Sequence, residues 1–344
     1  MNRKIKIAIT QLDVTPTAYE IKLGKAEALI RQAVPQGAQL VVLPELFTSG
    51  YVYQQANFDA AESKDGPTAQ RMKQLSRDLN IHLAGSYLLR DGKHIYNALF
   101  LFAPDGQFWR YDKNYPWGWE RAYFRGGKDI CVAETALGRI GLMLCWDVPH
   151  AKLWQKYAGQ VDMIVACTCP PNISDAMYSF ADGTNIKSDQ MGPLFGKLIH
   201  SAEQVFIKTP AQQCAWLGVP YISSTSCGKV STHLPNPMGS FLGAALSYPK
   251  LFRYLAQAKG VTLRADMVEA GRVFDANGSQ LTQLFNNMGE SVQIAEIELS
   301  ENKKSIKKQP KPPVSWLAYF VSDFLLRMVS IGTYRRAIRK MKIN

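Results

Sequence analysis

The sequence predicts an α/β protein in which two mixed sheets stack face to face and helices cover their outer sides. Three observations carry this reading. Strand-like and helix-like periods alternate along the chain, and hairpin signals sit between some of the strands. The polar residues best suited to chemistry also fall just past the ends of predicted strands, where open α/β sheets gather reactive groups.

In order, residues 4–11 alternate as a strand, 18–32 form an amphipathic helix, and 39–43 form a short buried strand. Residues 68–79 read as a helix and 81–89 as a strand. The strands at 97–102 and 107–112 flank Pro104-Asp105-Gly106, a hairpin turn. Those at 130–134 and 139–145 bracket a turn at Gly138. A helix over 152–157, a buried strand over 163–168, a helix over 210–216 and a strand over 219–226 follow, and 292–299 forms the last strand.

At 344 residues the chain can bury one large core or two modest ones. Six cysteines make no Cys-x-x-Cys pair, and five histidines are scattered, so no metal site is expected. No phosphate-binding glycine loop appears, and no cofactor is expected. The first residues enter a strand directly without an apolar leader, which with the unpaired cysteines points to a reducing cytoplasm and free thiols. The net charge of +12 is unevenly spread. Residues 301–344 hold eleven Lys or Arg against Glu301 and Asp323, so the other 300 carry only about +3. The basicity belongs to a tail, and no motif points to a nucleic-acid partner.

Cys145 ends the apolar run Ile140-Gly-Leu-Met-Leu-Cys145. A thiol at such a corner is reactive only if a base takes its proton and donors hold the charge that attack creates. Glu45 follows Pro44 at the end of a β-branched run, and Lys113 and Glu120 follow another strand. Each has a plain structural reading: an inert core thiol, an exposed carboxylate, a surface turn cap, and an ion-pair partner for Arg121 or Arg125. Taken in order, Glu–Lys–Glu–Cys outweighs those separate readings.

This ordered set resembles the nitrilase superfamily of carbon–nitrogen hydrolases. The matching pieces are Pro44-Glu45 with Gly50-Tyr51, Lys113 with Glu120 and Gly126-Gly127, and Gly141-Leu-Met-Leu-Cys145-Trp146-Asp147. The resemblance runs from Ile5 to Leu299. It implies a four-layer αββα sandwich and a homodimer. It makes Cys145 the nucleophile and Glu45 the general base and acid. Lys113 and the backbone N–H of Trp146 become the oxyanion donors, and Glu120 the carboxylate that orients the set. Tyr51, Trp117 and Trp119 are candidate pocket walls. Many relatives carry Pro-Glu where this chain has Pro149-His150, which leaves the catalytic set intact and the subfamily open; His150 reads as a helix start. Residues 1–300 form the hydrolase-like domain, with a long insertion at about 230–270 rich in apolar clusters.

The remainder, 301–344, is a Lys/Pro linker and a basic amphipathic tail. At helical spacing Trp316, Phe320, Phe324, Leu325, Met328 and Ile331 share one face, with Ser315, Ser322, Asp323, Arg327 and Ser330 opposite. Asp323 and Arg327 interrupt any membrane span. The tail either docks on the protein or a second subunit, or lies in a membrane interface. In the second case Trp316, Phe320 and Phe324 enter the acyl region while Arg335, Arg336, Arg339 and Lys340 sit over anionic headgroups. The cationic flank and tethering linker favour the membrane. The function expected is a thiol-dependent amidase on the inner face of a membrane, acting on an apolar or lipid-like amide. A nitrile hydrolase, an N-acyltransferase and a membrane scaffold with a vestigial site remain as alternatives.

Overall fold

The computed structural model describes residues 3–192, 201–300 and 308–340. Its main sheet has twelve strands in two halves of six. The first half is built from β1 (Arg3–Asp13), β2 (Leu40–Val42), β3 (His82–Asp91), β4 (His94–Phe102) and β5 (Phe108–Asp112), with the last strand, β16 (Ser291–Leu299), antiparallel to β1. The second half contains β6 (Val132–Thr135), β7 (Gly138–Leu144), β8 (Met163–Cys167), β11 (Tyr221–Cys227), β14 (Arg272–Phe274) and β15 (Gln280–Gln283). Among the described residues, the strand pairing that joins the halves is at the ends of β1 and β11, from Gln11↔Thr225 to Asp13↔Cys227.

Period-two alternation explains why the halves stack. Ile5, Ile7 and Ile9 of β1, and Leu40 and Val42 of β2, meet Ile140, Leu142 and Leu144 of β7 in one inner core. The intervening residues face outward. Ala8, Val41 and Leu83 pack under α1 (Tyr19–Ala33) and α2 (Pro67–Leu79). Met143, Ile164 and Ala166 pack under α3 (Ala151–Tyr157) and α4 (Thr209–Leu217). Helix, sheet, sheet and helix make the four layers expected.

A second, four-stranded sheet lies outside this frame. It runs β10 (Asn185–Lys187), β9 (Met177–Ser179), β13 (Thr262–Asp266), β12 (Lys229–His233) and is followed by α5 (Pro237–Ser247) between its last two strands in sequence. The apolar segment at about 230–270 is therefore not self-contained: β13 pairs with β9, more than eighty residues earlier.

The tail forms one continuous helix from Trp316 to Lys340, with a π-helical stretch over Phe320–Leu325. Ser315 caps it, accepting from Leu317 N at 3.3 Å. No helix among the described residues is long and apolar enough to cross a membrane. Of the Lys/Pro linker over 301–313, residues 301–307 lie outside the described residues.

Candidate active site

The site stands at the strand ends of both halves. Beyond β2 the chain turns through Pro44 and Glu45, and Leu46 takes a positive φ of 53°. Beyond β7 it turns at Cys145, whose φ is 42°. Left-handed backbone is unfavourable for a side chain with a Cβ, and such strain collects where geometry matters to chemistry. Beyond β5 comes Lys113, and Glu120 sits in a single 3₁₀ turn, Gly118–Ala122.

Lys113 ties these corners together. Its Nζ donates to Glu45 Oε1 and to Glu120 Oε2, each at 2.7 Å, and all three side chains are essentially inaccessible to solvent. Glu45 is not the exposed strand-end carboxylate of its plain reading but completely buried. Glu120 pairs with neither Arg121 nor Arg125, which turn to Asp323 and His94. Burial alone would lower the Lys113 pKa, but Glu120 and Glu45 hold the ammonium well above its ordinary value. Burial raises the Glu120 carboxyl against the pull of Lys113. The Cys145 thiol is pushed well up by burial and by the Glu45 charge, with Lys113 opposing. It is therefore a protonated thiol at rest, and it needs a base before it can attack. Glu45 Oε2 and Glu120 Oε1 are buried without a hydrogen-bond partner among the described residues.

Two further residues support the set. Asn97, fully buried on β4, donates from Nδ2 to Glu45 Oε1 at 2.7 Å. Asp147 clamps the Cys145 and Lys113 segments: one oxygen accepts from Tyr111 Oη at 2.7 Å and Leu144 N at 3.2 Å, the other from Tyr115 N at 2.8 Å. Asp147 stands within the Cys145-Trp146-Asp147 motif, whereas Asn97, the fourth residue of β4, carries no signal in the sequence.

Over Cys145 opens a cleft enclosing about 1230 Å³ of atom-free space, its mouth included. Tyr51, Trp117, Trp119 and Trp146 all line it, together with Glu120. The Tyr51 and Tyr53 hydroxyls meet at 2.6 Å, Trp117 N donates to Glu120 Oε2 at 2.7 Å, and Trp119 Nε1 donates to Ser240 Oγ of α5 at 2.8 Å. The remaining walls are mostly apolar, from α5 (Phe241, Ala244) and from the tail (Val321, Leu325, Leu326).

The tail is oriented otherwise than its polarity suggests. Ser322 and Ser330 are buried and Asp323 points into the protein, so most of the polar side faces the domain, while Arg327 is exposed. Leu325 lines the cleft instead of sharing the outer face. Trp316, Phe320, Phe324 and Met328 are exposed in a row four residues apart. Arg335, Arg336 and Arg339 are also exposed, and the Lys340 side chain lies outside what the structure describes. His150 stands at the N-cap of α3, as a helix-start residue should.

No cluster of metal-binding side chains occurs among the described residues. Fold and site together define a class: an αββα sandwich whose cleft is floored by a thiol backed by a carboxylate–lysine–carboxylate set. The chain belongs to the carbon-nitrogen hydrolase family, whose model matches residues 6–183. It is 31% identical over 147 residues to a nitrilase of Pyrococcus abyssi, a match covering 42% of this chain and 56% of that protein. It is likewise 31% identical over 168 residues to the omega-amidase NIT2 of Danio rerio, covering 45% and 59%. The chain thus spans less than two thirds of the length of these curated relatives. Among solved structures, the amidase from Nesterenkonia sp. AN1 bearing the product of acrylamide Michael addition at its active-site cysteine superposes with a TM-score of 0.60. That match is at 17% identity and covers 84% of this chain and 92% of the other; the likeness is one of fold.

Proposed function

We propose that this protein is a thiol-dependent amidase that hydrolyses a non-peptide carbon–nitrogen bond through a Cys145 acyl-enzyme. The observation that carries it is the Lys113 ammonium held 2.7 Å from both Glu45 and Glu120 behind a strained thiol corner. Burying two carboxylates and an ammonium is costly and serves no packing purpose.

The steps follow from the groups present. Glu45 takes the Cys145 proton as sulfur attacks the amide carbon. Lys113 Nζ and the Trp146 N–H hold the oxyanion, each donor worth roughly 3 kcal/mol. The C–N bond breaks as Glu45 returns the proton to the departing nitrogen, leaving a thioester. Glu45 then deprotonates water, which attacks the thioester carbon. The C–S bond breaks, the acid leaves, and Cys145 recovers its proton. Glu120 keeps Lys113 oriented throughout.

The apolar cleft walls support an apolar or lipid-like acyl group as substrate. The exposed Trp316, Phe320 and Phe324 beside Arg335, Arg336 and Arg339 support attachment to an anionic membrane surface. A nitrile hydrolase or N-acyltransferase would use the same groups and differ in how the thioimidate or thioester partitions. A scaffold with a vestigial site would have no need of the buried Lys113 pair.

The test is intact-mass spectrometry after incubation with a mixture of acyl amides, comparing wild type with Cys145→Ala and Glu45→Gln. An acyl adduct on wild type or Glu45→Gln, absent from Cys145→Ala, is expected, and its mass names the acyl group. An adduct that persists in Cys145→Ala, or hydrolysis undiminished in it, would sink the reading.

A further inference from the structure

The family's catalytic set is complete by Trp146, yet a residue almost two hundred positions later reaches into it. Asp323, in the π-helical stretch of the tail, accepts from the Trp146 indole Nε1 at 3.0 Å. The same oxygen receives Arg121 Nη2 at 3.3 Å, and its second oxygen lies 3.0 Å from His150 Nε2. Trp146 directly follows the nucleophile. Arg121 directly follows Glu120. His150 in turn lies 2.7 Å from the Trp146 carbonyl through Nδ1 and stacks on Tyr115 at 3.5 Å. One carboxylate thus touches two of the three loops that bear the candidate catalytic groups, those of Glu120 and of Cys145.

Neighbouring residues repeat the grip. Ser322 Oγ accepts from Gly118 N at 3.1 Å, at the start of the Glu120 turn. Tyr319 Oη donates to Pro149 O at 2.6 Å. Gly118 has a positive φ of 38°, and a Cβ there would come within 2.7 Å of Leu326, so the helix lies flat on that turn. Farther along, Asn236 donates to the Val329 carbonyl at 2.9 Å. Between these polar clasps Val321, Leu325 and Leu326 form a wall of the cleft above Cys145.

We propose that Asp323 is a positioning residue: it fastens the tail helix across the cleft, closing the wall over Cys145 and steadying the Trp146 backbone beside it. The inference rests on Cys145 as the nucleophile. It adds that the substrate cleft exists in its closed form only while the tail is clasped. The inner apolar face then belongs to the acyl group of the substrate, while the outer row, Trp316 to Met328, takes no part in the clasp. Loss of the carboxylate opens the wall. It frees small reagents to reach the thiol and removes apolar surface from the substrate, so reactivity toward a small alkylator rises as apolar-amide turnover falls.

The experiment uses the full chain and iodoacetamide, with site-resolved mass spectrometry of alkylation at Cys145 and, as an internal reference, at the half-buried Cys131. Asp323→Ala is expected to alkylate Cys145 about tenfold faster, since a lost charge-assisted hydrogen bond is worth a factor of that order. Asp323→Asn keeps an acceptor for Trp146 but not the charge, and should fall between. Phe320→Ala, on the outer row, should match wild type. For any amide the wild type hydrolyses, the loss in Asp323→Ala should fall mainly on KM. An unchanged Cys145 rate in both Asp323 variants, including silence in all proteins, overturns the proposal. So does a Cys131 rate that rises in step, which would signal general loosening. If Asp323→Ala does not fold, Asp323→Asn carries the comparison alone. Cys145→Ala, scored by hydrolysis, tests the nucleophile separately.

Discussion

Glu45, Lys113 and Glu120 bury two carboxylates around one ammonium, in the turns that follow β2 and β5, whereas Asp323 is a quarter exposed and arrives on a helix from the far end of the chain. The first cluster is held by sheet hydrogen bonds, by Asn97 and by the Asp147 clamp. The second is held by a handful of side-chain contacts at the rim of the cleft. The contrast separates two jobs. The buried charges are fixed where strand ends converge, and the proposed substrate wall is assigned to a helix that reaches the cleft from outside the sandwich. Perturbing the first should cost both stability and chemistry, and perturbing the second should cost chemistry or attachment while the sandwich stands.

The largest effect is expected from Lys113→Met. It leaves Glu45 and Glu120 facing each other without a cation, and breaking such a buried set costs about 3–5 kcal/mol. Urea unfolding should show this loss, and hydrolysis should fall by roughly a thousandfold from the lost oxyanion donor alone. A wild-type unfolding midpoint would mean that the two carboxylates are not both charged, and the contrast drawn above would collapse. Asn97→Leu is a milder probe of the same cluster. It removes one donor to Glu45 and should cost about 1.5–3 kcal/mol, again with slower turnover. Unaltered turnover would reduce Asn97 to a packing role.

What the sequence made legible follows the same division. Strands such as β1, β7 and β8 were readable because alternate residues face two cores, a local signal that needs no partner. Glu45, Lys113, Glu120 and Cys145 stood out because each follows such a strand. The second sheet was not readable, since β9 and β10 have three residues each, too few for a period, and β9 finds its partner in β13 much later. Asn97 was hidden inside an otherwise apolar strand. The grip of Ser322 and Asp323 on the domain was not readable because no domain residue near them in the sequence partners them. The partners of Ser322 and Asp323 are Gly118, Trp146 and His150, far back in the chain, while Ser330 Oγ is buried without a hydrogen-bond partner among the described residues. The π-helical stretch also rotates the faces, so an ordinary helical wheel misplaces Leu325.

On the outer side of the tail, Phe320→Ser with Phe324→Ser should leave the sandwich's unfolding midpoint within about 0.5 kcal/mol of wild type, as surface changes do. Binding to vesicles containing anionic lipid should weaken by ten-fold or more, because burying each ring in the acyl region is worth about 1.5–3 kcal/mol. Equal sedimentation of both proteins with vesicles would remove the membrane reading and leave the exposed row to a second copy of the chain, which analytical ultracentrifugation would then detect as a weakened dimer.

The smallest effect sharpens the comparison most, because it acts on the clasp alone. Burial by itself would raise the Asp323 carboxyl, but His150, Trp146 and Arg121 outweigh it and hold it below the ordinary carboxylate value. A carboxyl lowered in the folded state stabilises above its unfolded value, and that contribution is lost as pH falls through the lowered one. Partly exposed, it should contribute no more than about 1 kcal/mol. Acidification below the ordinary carboxylate range should therefore loosen the tail in wild type, raising the rate of pepsin cleavage at the tail. Asp323→Asn should show a tail already loosened and a flatter pH dependence. If the two proteins respond to acid in parallel, the clasp depends on other groups, and the rim cluster would then resemble the buried one in being held by more than a single charge.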